Sequence, residues 1–295
     1  MKKFIGIASV FVFMLFVTAL ILKDCDEENL STLEKIDDSE RNMSSGSISR
    51  NQFVCYSTAN SEQIDQPFNS NVIDESVIEH LGYTVSYNHA TLNPNWVAYE
   101  LTADESDGPV NRKGRRFIPD PKVKGRQAEN DDYRNSGWSR GHMAPAADMK
   151  WDSVAMNECF YFTNCSPQDA TFNDGKWHSL EKKTRAIARQ YGRVYVVTGP
   201  VVGKNVNGTI GENRVVVPDA FFKAWLVPAD GTYTAIGFVL YNSPEDQDIS
   251  ASACTIDELE LLTGFDFYHN LDDKTEKRVE ATIDWKFWKG VGVNP

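Results

Sequence analysis

The sequence predicts an α+β fold in which a central, mainly antiparallel sheet is flanked by helices. Several runs of strand length alternate apolar and polar residues, and two stretches have helical periodicity. These strands and helices follow one another in mixed order, without the regular alternation that builds a parallel sheet. The chain has 295 residues, 41% of them hydrophobic, so it is long enough to bury a full-sized core.

Composition divides the chain into three segments. Residues 1–22 contain two lysines followed by an uncharged apolar stretch, and they are predicted to be a signal peptide or a membrane anchor. Residues 23–67 are rich in Ser, Asn, Asp and Glu and are predicted to be a polar, flexible tether. Residues 68–295 contain alternating apolar and polar residues, which are typical of a folded domain.

The N-terminal apolar stretch predicts export. Val17–Ala19 offers small residues for signal cleavage, and the 19 residues of Phe4–Leu22 are also enough for a membrane anchor. Lipidation at Cys25 is less favoured, because Lys23 and Asp24 stand where small residues are expected. The protein is therefore expected in the periplasm, outside the cell, or anchored to a membrane and facing away from the cytoplasm.

Export bears on the remaining four cysteines, which are Cys55, Cys159, Cys165 and Cys254. In an oxidising compartment they could form two disulfides, with three possible pairings. A Cys159–Cys165 bond is not favoured, because the two residues are expected on one strand, roughly 20 Å apart. The alternative is that all four are buried free thiols.

Five segments are predicted to contain six strands. Residues 83–102, YTVSYNHATLNPNWVAYELT, alternate on either side of an Asn-Pro-Asn turn, which predicts two paired strands. Another strand is predicted for FYFTNCS. Three further runs are separated by turns such as Pro228–Gly231, and these runs are RVYVVTGPVV, NRVVVPDAFFKAWLV and YTAIGFVLYN.

Two segments are predicted to be helices. Residues 175–192 carry apolar side chains at helical spacing and end at Gly192. The second helix starts with a capping box formed by Thr255 and Glu258, and Gly264 ends it. Three aromatic residues near the C terminus are predicted to pack in the core: Trp285, Phe287 and Trp288.

Charge is unevenly distributed. The net charge of −12 argues against a protein held to nucleic acid by its overall charge. Residues 111–150 nevertheless contain ten basic and five acidic residues, a local charge of +5 against −17 for the rest of the chain. This window is either a solvated basic loop or a local binding site for a polyanion. The second interpretation is favoured because the same window contains Ser-Arg-Gly-His.

Four polar residues follow one another in an order that suggests chemistry. His142 ends the Ser-Arg-Gly-His sequence, and Asn164 follows in TNCSPQ. Asn173 stands at the start of the first predicted helix, and Glu181 comes eight positions later, within about 80° of Asn173 around a regular α-helix. Each residue alone has an ordinary explanation: a core histidine, turn or cap asparagines, and an exposed glutamate paired with Arg185.

Together these motifs resemble the DNA/RNA non-specific endonuclease family. The segments YRNSGWSRGHMAPAADM and YFTNCSPQDATFNDGKWHSLE carry the resemblance, which extends from about residue 83 to residue 271, where TIDELELLTGFDFYHNL resembles the closing helix and turn of the family. The resemblance implies a ββα-metal (His-Me finger) fold that binds a single Mg²⁺ at a strand–loop–helix unit. Mn²⁺ or another divalent cation is the alternative.

The resemblance assigns roles to the polar residues. His142 would be the general base, since an imidazole titrates near neutral pH and can accept a proton from water. Asn173 would bind the metal directly, because Mg²⁺ prefers oxygen ligands and keeps several waters. Asn164 would position neighbouring groups, and Glu181 would anchor the metal-bound waters.

The arginines and the rest of the Ser-Arg-Gly-His sequence complete the implied site. Arg140 and Arg115 would contact phosphate, with Arg116 as an alternative to Arg115. Gly141 is expected to allow a tight turn beside His142. Ser139 stands where the family has aspartate, so the charge of that aspartate is missing here.

The sequence thus predicts an exported, Mg²⁺-dependent, non-specific endonuclease that hydrolyses phosphodiester bonds of DNA, with RNA expected as well, and leaves 5′-phosphate ends. The first alternative is a catalytically weakened nucleic-acid-binding protein on the same fold, and Ser139 is the main observation in its favour. A phosphodiesterase for small substrates is the second. A homodimer and an N-terminal membrane association are further expectations.

Overall fold

The computed structural model describes residues 66–69, 75–203 and 207–294. The predicted signal or anchor, residues 1–22, and nearly all of the predicted tether lie outside these ranges. Within them, no helix combines the length and the apolar character needed to cross a bilayer.

Thirteen strands lie in the described part of the chain. Their bounds are β1 Phe68–Asn69, β2 Glu75–Glu79, β3 Thr84–Asn88, β4 Asn93–Thr102, β5 Ser139–His142, β6 Cys165–Gln168, β7 Arg193–Val201, β8 Thr209–Ile210, β9 Val215–Val216, β10 Ala220–Ala229, β11 Thr232–Tyr241, β12 Ala253–Cys254 and β13 Phe265–Asp266. Seven of them form the central sheet in the order β12-β11-β10-β7-β4-β3-β2. Every neighbouring pair in this sheet is antiparallel.

Helices lie along the chain between and after the strands. Their bounds are α1 Asn130–Tyr133, α2 Ser153–Glu158, α3 Ala170–Phe172, α4 His178–Tyr191, α5 Ile256–Thr263, α6 Asp273–Ala281 and α7 Trp285–Gly290. A π-helical turn, Asn173–Trp177, joins α3 to α4. Helix α4 lies against strands β4, β7 and β10, and Gly192 ends it with a φ of 88°. The predicted fold class, α+β with an antiparallel sheet flanked by helices, is confirmed.

The longest hairpin of the sheet shows how local sequence fixes register. Asp230 and Gly231 have φ values of 48° and 77°, the left-handed pair that a tight two-residue hairpin needs. Strands β10 and β11 therefore pair without a bulge as far as Ala229 and Thr232. The predicted turn was too long, because Pro228 lies within β10.

Two predicted strand segments differ from the structure in where their strands begin and end. The Asn-Pro-Asn sequence is not a turn, because it opens β4. The chain reverses earlier, where Asn88 Oδ1 accepts hydrogen bonds from two backbone N–H groups and Leu92 has a φ of 56°. Asn93 Nδ2 donates to the carbonyl of Val216, a contact 123 residues away that holds Asn93 in the sheet. The run NRVVVPDAFFKAWLV is likewise divided into β9 and β10 around Pro218.

The segment FYFTNCS is not one continuous strand. Phe162–Asn164 forms a 3₁₀ turn, and β6 begins only at Cys165. Cys159 lies at the end of α2, so it does not share a strand with Cys165. Both are buried free thiols, and so is Cys254. The disulfide alternative is wrong for these three residues, while Cys25 and Cys55 lie outside the described residues.

The C-terminal aromatic residues pack as predicted. Trp288 is fully buried, with its ring centroid 6.1 Å from that of Trp225 on β10. Trp285 and Phe287 are partly buried and pack against the same core. They therefore serve the interior of the domain and do not form an exposed stacking surface.

Candidate active site

His142 is the last residue of β5, which pairs antiparallel with β6. This short hairpin and the following α3–π–α4 segment make a ββα unit beside the main sheet. The sequence analysis expected a tight turn beside His142, but the histidine lies in a strand. Alternation along β5 places Arg140 and His142 on one face and Ser139 and Gly141 on the other.

The His142 ring is held by aromatic contacts. Its centroid lies 4.6 Å from that of Phe117 and 4.9 Å from that of Phe160, the latter edge to face. The residue is 9% exposed, Nε2 is enclosed, and neither ring nitrogen has a hydrogen-bond partner among the described residues. Burial lowers the pKa of His142 to about 3, and the positive charge of Arg112 adds to the shift. The imidazole is therefore neutral at physiological pH.

The backbone around His142 is fixed by polar contacts. The indole Nε1 of Trp177, in the π-helical turn, donates to the His142 carbonyl over 3.3 Å. The next N–H, that of Met143, donates to the carbonyl of Asn164 over 3.0 Å. The ββα unit thereby links the histidine to the segment that carries Asn173.

Asn164 is fully buried, and its side-chain amide bonds only to backbone. Oδ1 accepts from the N–H of Ala144, and Nδ2 donates to the carbonyls of Ala144 and Cys159, each over 2.8 Å. Both amide N–H bonds are used, so Asn164 is in place to clamp the chain that leaves His142. It does not offer a free donor to a substrate.

Gly141 is required by a close approach and not by a turn. It lies inside β5 opposite Ser166, and a Cβ atom there would come 2.0 Å from Oε1 of Gln168. The expected tight turn is therefore wrong. Gln168 is itself fully buried, and its side chain packs against the strand that carries His142. The sequence analysis did not identify this residue. No feature of the local sequence indicates that its side chain crosses the hairpin.

Asn173 and Glu181 lie on the helical side of the unit. Asn173 is half-buried and starts the π-helical turn, and its side chain makes no hydrogen bond to any described residue. Between it and Glu181 the helix is irregular, since Gly175 has φ −98° and ψ −105°. The angle of about 80° predicted for a regular α-helix therefore does not apply.

Glu181 is only 9% exposed, and no hydrogen bond to its carboxyl group is present in the described ranges. Burial raises the pKa of Glu181 to about 7, although the nearby ammonium of Lys223 acts in the opposite direction. The alternative of an exposed glutamate paired with Arg185 is wrong. Arg185 instead donates to Asp148 over 2.6 Å.

A buried charge cluster surrounds Glu181, and the sequence analysis missed it. Asp148 is fully buried and also accepts from the hydroxyl of Tyr99 over 2.8 Å. Lys223 is fully buried on β10, with Nζ 4.5 Å from the centroid of the Trp177 ring. Burial lowers the pKa of Lys223 to about 8. A lone lysine inside AFFKAWLV was the available signal, because buried lysines are rare without a partner or a role.

The predicted phosphate-binding arginines occupy different settings. Arg140 lies over the ring of Tyr133, with Cζ 5.1 Å from the centroid, and donates to the carbonyl of Asn130 over 2.8 Å. Arg115 donates from Nε to Asn157 over 2.7 Å. Arg116 is exposed.

Arg112 is a further candidate that the sequence analysis did not include in the site. Its Cζ lies 5.4 Å from the centroid of Phe160, the ring that packs on His142. The charge of Arg112 acts on the pKa values of both His142 and Glu181, so these groups share one electrostatic environment. Nothing in the sequence distinguishes Arg112 from the neighbouring loop arginines.

Ser139 is half-buried and pairs with Gln168 in the hairpin. Its hydroxyl makes no hydrogen bond to the part of the chain that the structure describes. Because it points to the face opposite His142, its replacement of an aspartate leaves the polar groups on the histidine face in place.

The donor set fits a hard divalent cation. Asn173 offers an amide oxygen, and the buried carboxyl group of Glu181 has no hydrogen-bond or ion-pair partner within the described ranges. Among the described residues, the groups of three or more acidic, His or Cys side chains close enough to share an ion lie elsewhere. A cation here would therefore keep much of its water, as Mg²⁺ does.

Comparison with known proteins identifies the family of this chain. Residues 60–274 match the model of the DNA/RNA non-specific endonuclease family. This chain belongs to that family. The mitochondrial nuclease EXOG of Xenopus laevis is 35% identical over 66% of this chain and 58% of its own length. Mitochondrial endonuclease G of Bos taurus is 35% identical over 64% and 68%. A crystal structure of the EndoG/EndoGI complex is 29% identical, with a TM-score of 0.63 over 70% of this chain and 89% of that one.

Two facts about these relatives bear on the expectations. The chain spans less than two thirds of the length of the frog EXOG that it matches. The expectation of an exported, periplasmic or extracellular protein is wrong, because the curated relatives EXOG and endonuclease G are mitochondrial nucleases. An apolar stretch after two lysines shows only that a segment favours an apolar environment, and many compartments share that signal.

Proposed function

We propose that this family member is a divalent-metal-dependent nuclease that hydrolyses phosphodiester bonds of DNA and RNA with little base preference. The observation that carries the proposal is His142, a neutral imidazole on the same strand face as Arg140, with no hydrogen-bond partner for its ring among the described residues. A positioned base beside a phosphate-binding cation is what hydrolysis of an anionic ester requires.

The base step follows from the burial of the ring. Neutral His142 accepts a proton from the attacking water as the water oxygen bonds to phosphorus and the bond from phosphorus to the 3′ oxygen breaks. The 3′ oxygen leaves as an alkoxide that takes a proton from water, and the downstream fragment keeps the phosphate on its 5′ oxygen. A ring with a pKa of about 3 is a weak base in the free protein. An anionic phosphate held beside it would raise that pKa, because a nearby negative charge favours the imidazolium.

Asn173 would hold the metal through its amide oxygen, and Glu181 would orient metal-bound water through its carboxylate. Mg²⁺ is the ion we propose, with Mn²⁺ as the alternative. When bound, such an ion stabilises negative charge on the phosphate and on the leaving oxygen. Burial raises the pKa of Glu181, Lys223 opposes that rise, and Asp148 adds to it.

Arg140 and Arg112 would contact the substrate phosphate. Arg115, with Arg116 as the alternative, would contact a phosphate further along the strand. Backbone contacts carry no sequence information, so this arrangement supports cleavage at many sequences. The local charge of +5 in residues 111–150 favours a polymeric substrate over a small phosphodiester.

The alternative is a weakened nucleic-acid-binding protein, suggested by Ser139. Its position on the face opposite His142 favours the active enzyme, because the base, the metal-binding amide and the carboxyl group are all retained. The two functions differ in turnover and not in binding, so cleavage assays separate them.

Residues 68–295 are proposed as the nuclease domain, after an N-terminal segment and a tether. A homodimer and an N-terminal membrane association remain predictions. Sedimentation of the full chain tests the first, and its partition onto lipid vesicles tests the second.

Cleavage of supercoiled plasmid and of a long RNA by the full chain tests the proposed function. We expect both to be cut with Mg²⁺ and neither with EDTA. Asn173→Ala should raise the Mg²⁺ concentration needed for half-maximal rate, while the exposed control Asn294→Ala should not. Cleavage that persists in EDTA would contradict the metal-dependent proposal, and binding without cleavage would support the alternative.

A further inference from the structure

Five acidic side chains meet near the C-terminal helices, away from the candidate active site. They come from helix α5, the short strand β13 and helix α6: Asp257, Glu260, Asp266, Glu276 and Glu280. Helices α5 and α6 contact each other, so the cluster bridges two neighbouring elements.

The spacing of their oxygen atoms matches a shared cation. Two groups of three carboxylates, Asp257 with Glu260 and Glu280, and Asp266 with Glu276 and Glu280, each have oxygens within 4.8 Å of one another. Ca²⁺ binds oxygen at about 2.3–2.6 Å, so two of its ligands lie at most about 5 Å apart. Glu280 belongs to both groups, which places it at the centre of the cluster.

Glu280 is the central side chain of this cluster, and it is only 8% exposed. Its Oε1 is enclosed and accepts no hydrogen bond from any residue that the structure describes. No Lys or Arg forms an ion pair with the five carboxyl groups within residues 66–69, 75–203 and 207–294. Burial raises the pKa of Glu280 to about 8, and Glu260 adds to the shift. A buried carboxyl group without a counter-charge is unfavourable, and a bound cation would compensate it.

We propose that this acidic cluster binds a hard divalent cation of the calcium type, with Glu280 as its central ligand. Carboxylate oxygens are the preferred ligands of Ca²⁺, which tolerates irregular geometry and six to eight oxygens. Glu276 and Glu280 lie beyond residue 274, where the match to the family model ends. The site is therefore a feature of this chain separate from the metal centre at Asn173, and it ties α6 to α5.

Calorimetric titration of the EDTA-treated full chain with Ca²⁺ tests the proposal. The Asn173→Ala protein should still bind Ca²⁺, because the cluster does not involve Asn173. In that background Glu280→Gln should weaken Ca²⁺ binding by at least about tenfold, since affinity follows the charge count of the ligands. The matched control Glu245→Gln, at an exposed glutamate, should leave it unchanged.

A thermal melt gives a second readout. Ca²⁺ should raise the melting temperature of the Asn173→Ala protein and lose that effect when Glu280→Gln is added. If the Glu280 variant does not fold, Asp266→Asn, at an exposed residue, serves in its place. The proposal would be overturned if the Asn173→Ala protein did not bind Ca²⁺, or if a cluster variant bound Ca²⁺ as tightly as that protein does. Either result would indicate carboxyl groups that share a proton. Nuclease rates are a separate measurement, so either proposal can fail alone.

Discussion

Two buried ionisable side chains of the candidate site have pKa values shifted in opposite directions. Burial lowers the pKa of His142 to about 3 and raises that of Glu181 to about 7. Burial disfavours the charged form in both cases, so the imidazole is neutral and the carboxyl group is partly neutral near pH 7. The histidine is thereby unprotonated, and Glu181 is a group whose ionisation falls in the working range.

Because Glu181 titrates near pH 7, the wild-type protein and Glu181→Gln should differ in the pH dependence of their cleavage rates. With Mg²⁺ below saturation, kcat/KM of the wild-type protein should fall as the pH falls through about 7, because protonated Glu181 no longer accepts hydrogen bonds from metal-bound water. Glutamine is neutral throughout, so the variant should lack that acid limb. Above pH 7 it should be slower by about 10–100-fold.

The metal concentration provides the control for that profile. Saturating Mg²⁺ should move the wild-type limb to lower pH, because the cation favours the carboxylate form. An unchanged limb in Glu181→Gln would assign the titration to another group.

Single residues differ in how far the sequence could identify them. His142, Asn173 and Glu181 stand in motifs of fixed order, so the family resemblance pointed to them directly. Arg112 could not be separated from Arg115 and Arg116, because the three are chemically identical and only packing against Phe160 distinguishes the first. Which of the three arginines packs near His142 depends on tertiary contacts, and the local sequence does not specify these.

At the scale of elements, the β5–β6 hairpin is the part that holds the base. Gly141→Ala should destabilise the protein by about 1–3 kcal/mol and slow cleavage, because the new methyl group meets Gln168 and displaces the strand that carries His142. In the double variant, Gln168→Ala should restore part of the lost stability and part of the lost cleavage rate. Denaturant unfolding and plasmid cleavage measure the two effects.

Gly290→Ala is the matched control for that hairpin prediction. Nothing lies within 4 Å of the added Cβ, and Gly290 is in helix α7, where alanine is the better helix former. The free energy of unfolding of the Gly290→Ala protein should be unchanged or higher than that of the wild type. If Gly141→Ala behaved like this control, the close approach to Gln168 would not be a constraint.

Elements were predictable where the local pattern was strong. Strands β7 and β11 and helix α4 carry long apolar patterns, and the structure contains each of them. The prediction failed at the Asn-Pro-Asn and FYFTNCS sequences. There, long-range hydrogen bonds decide the conformation, such as the one from Asn93 to Val216, and the sequence does not specify which distant carbonyl will be near.

On the scale of the whole molecule, a net charge of −12 should repel a polyanion, while residues 111–150 attract it. For binding of the His142→Ala protein to duplex DNA, log Kd should therefore rise linearly with the logarithm of the salt concentration. Arg140→Ala, added to this inactive variant, should reduce the slope by about 1, since one phosphate contact is lost.

Arg193→Ala, added in the same way, is the control for the salt dependence, because Arg193 pairs with Glu100 over 2.6 Å on the main sheet. Its slope should match that of His142→Ala alone. Equal slopes for the Arg140 and Arg193 variants would contradict the assignment of Arg140 to phosphate.

The central claim is that the neutral imidazole of His142 takes the proton from the attacking water. The most direct measurement is the single-turnover rate of plasmid cleavage at saturating Mg²⁺ for wild type, His142→Ala and the control His89→Ala, whose ring instead contacts Ser76 over 2.7 Å. We predict a loss of about 10²–10⁴-fold for His142→Ala with folding and DNA binding retained, and a wild-type rate for His89→Ala. A wild-type rate for His142→Ala would contradict the account.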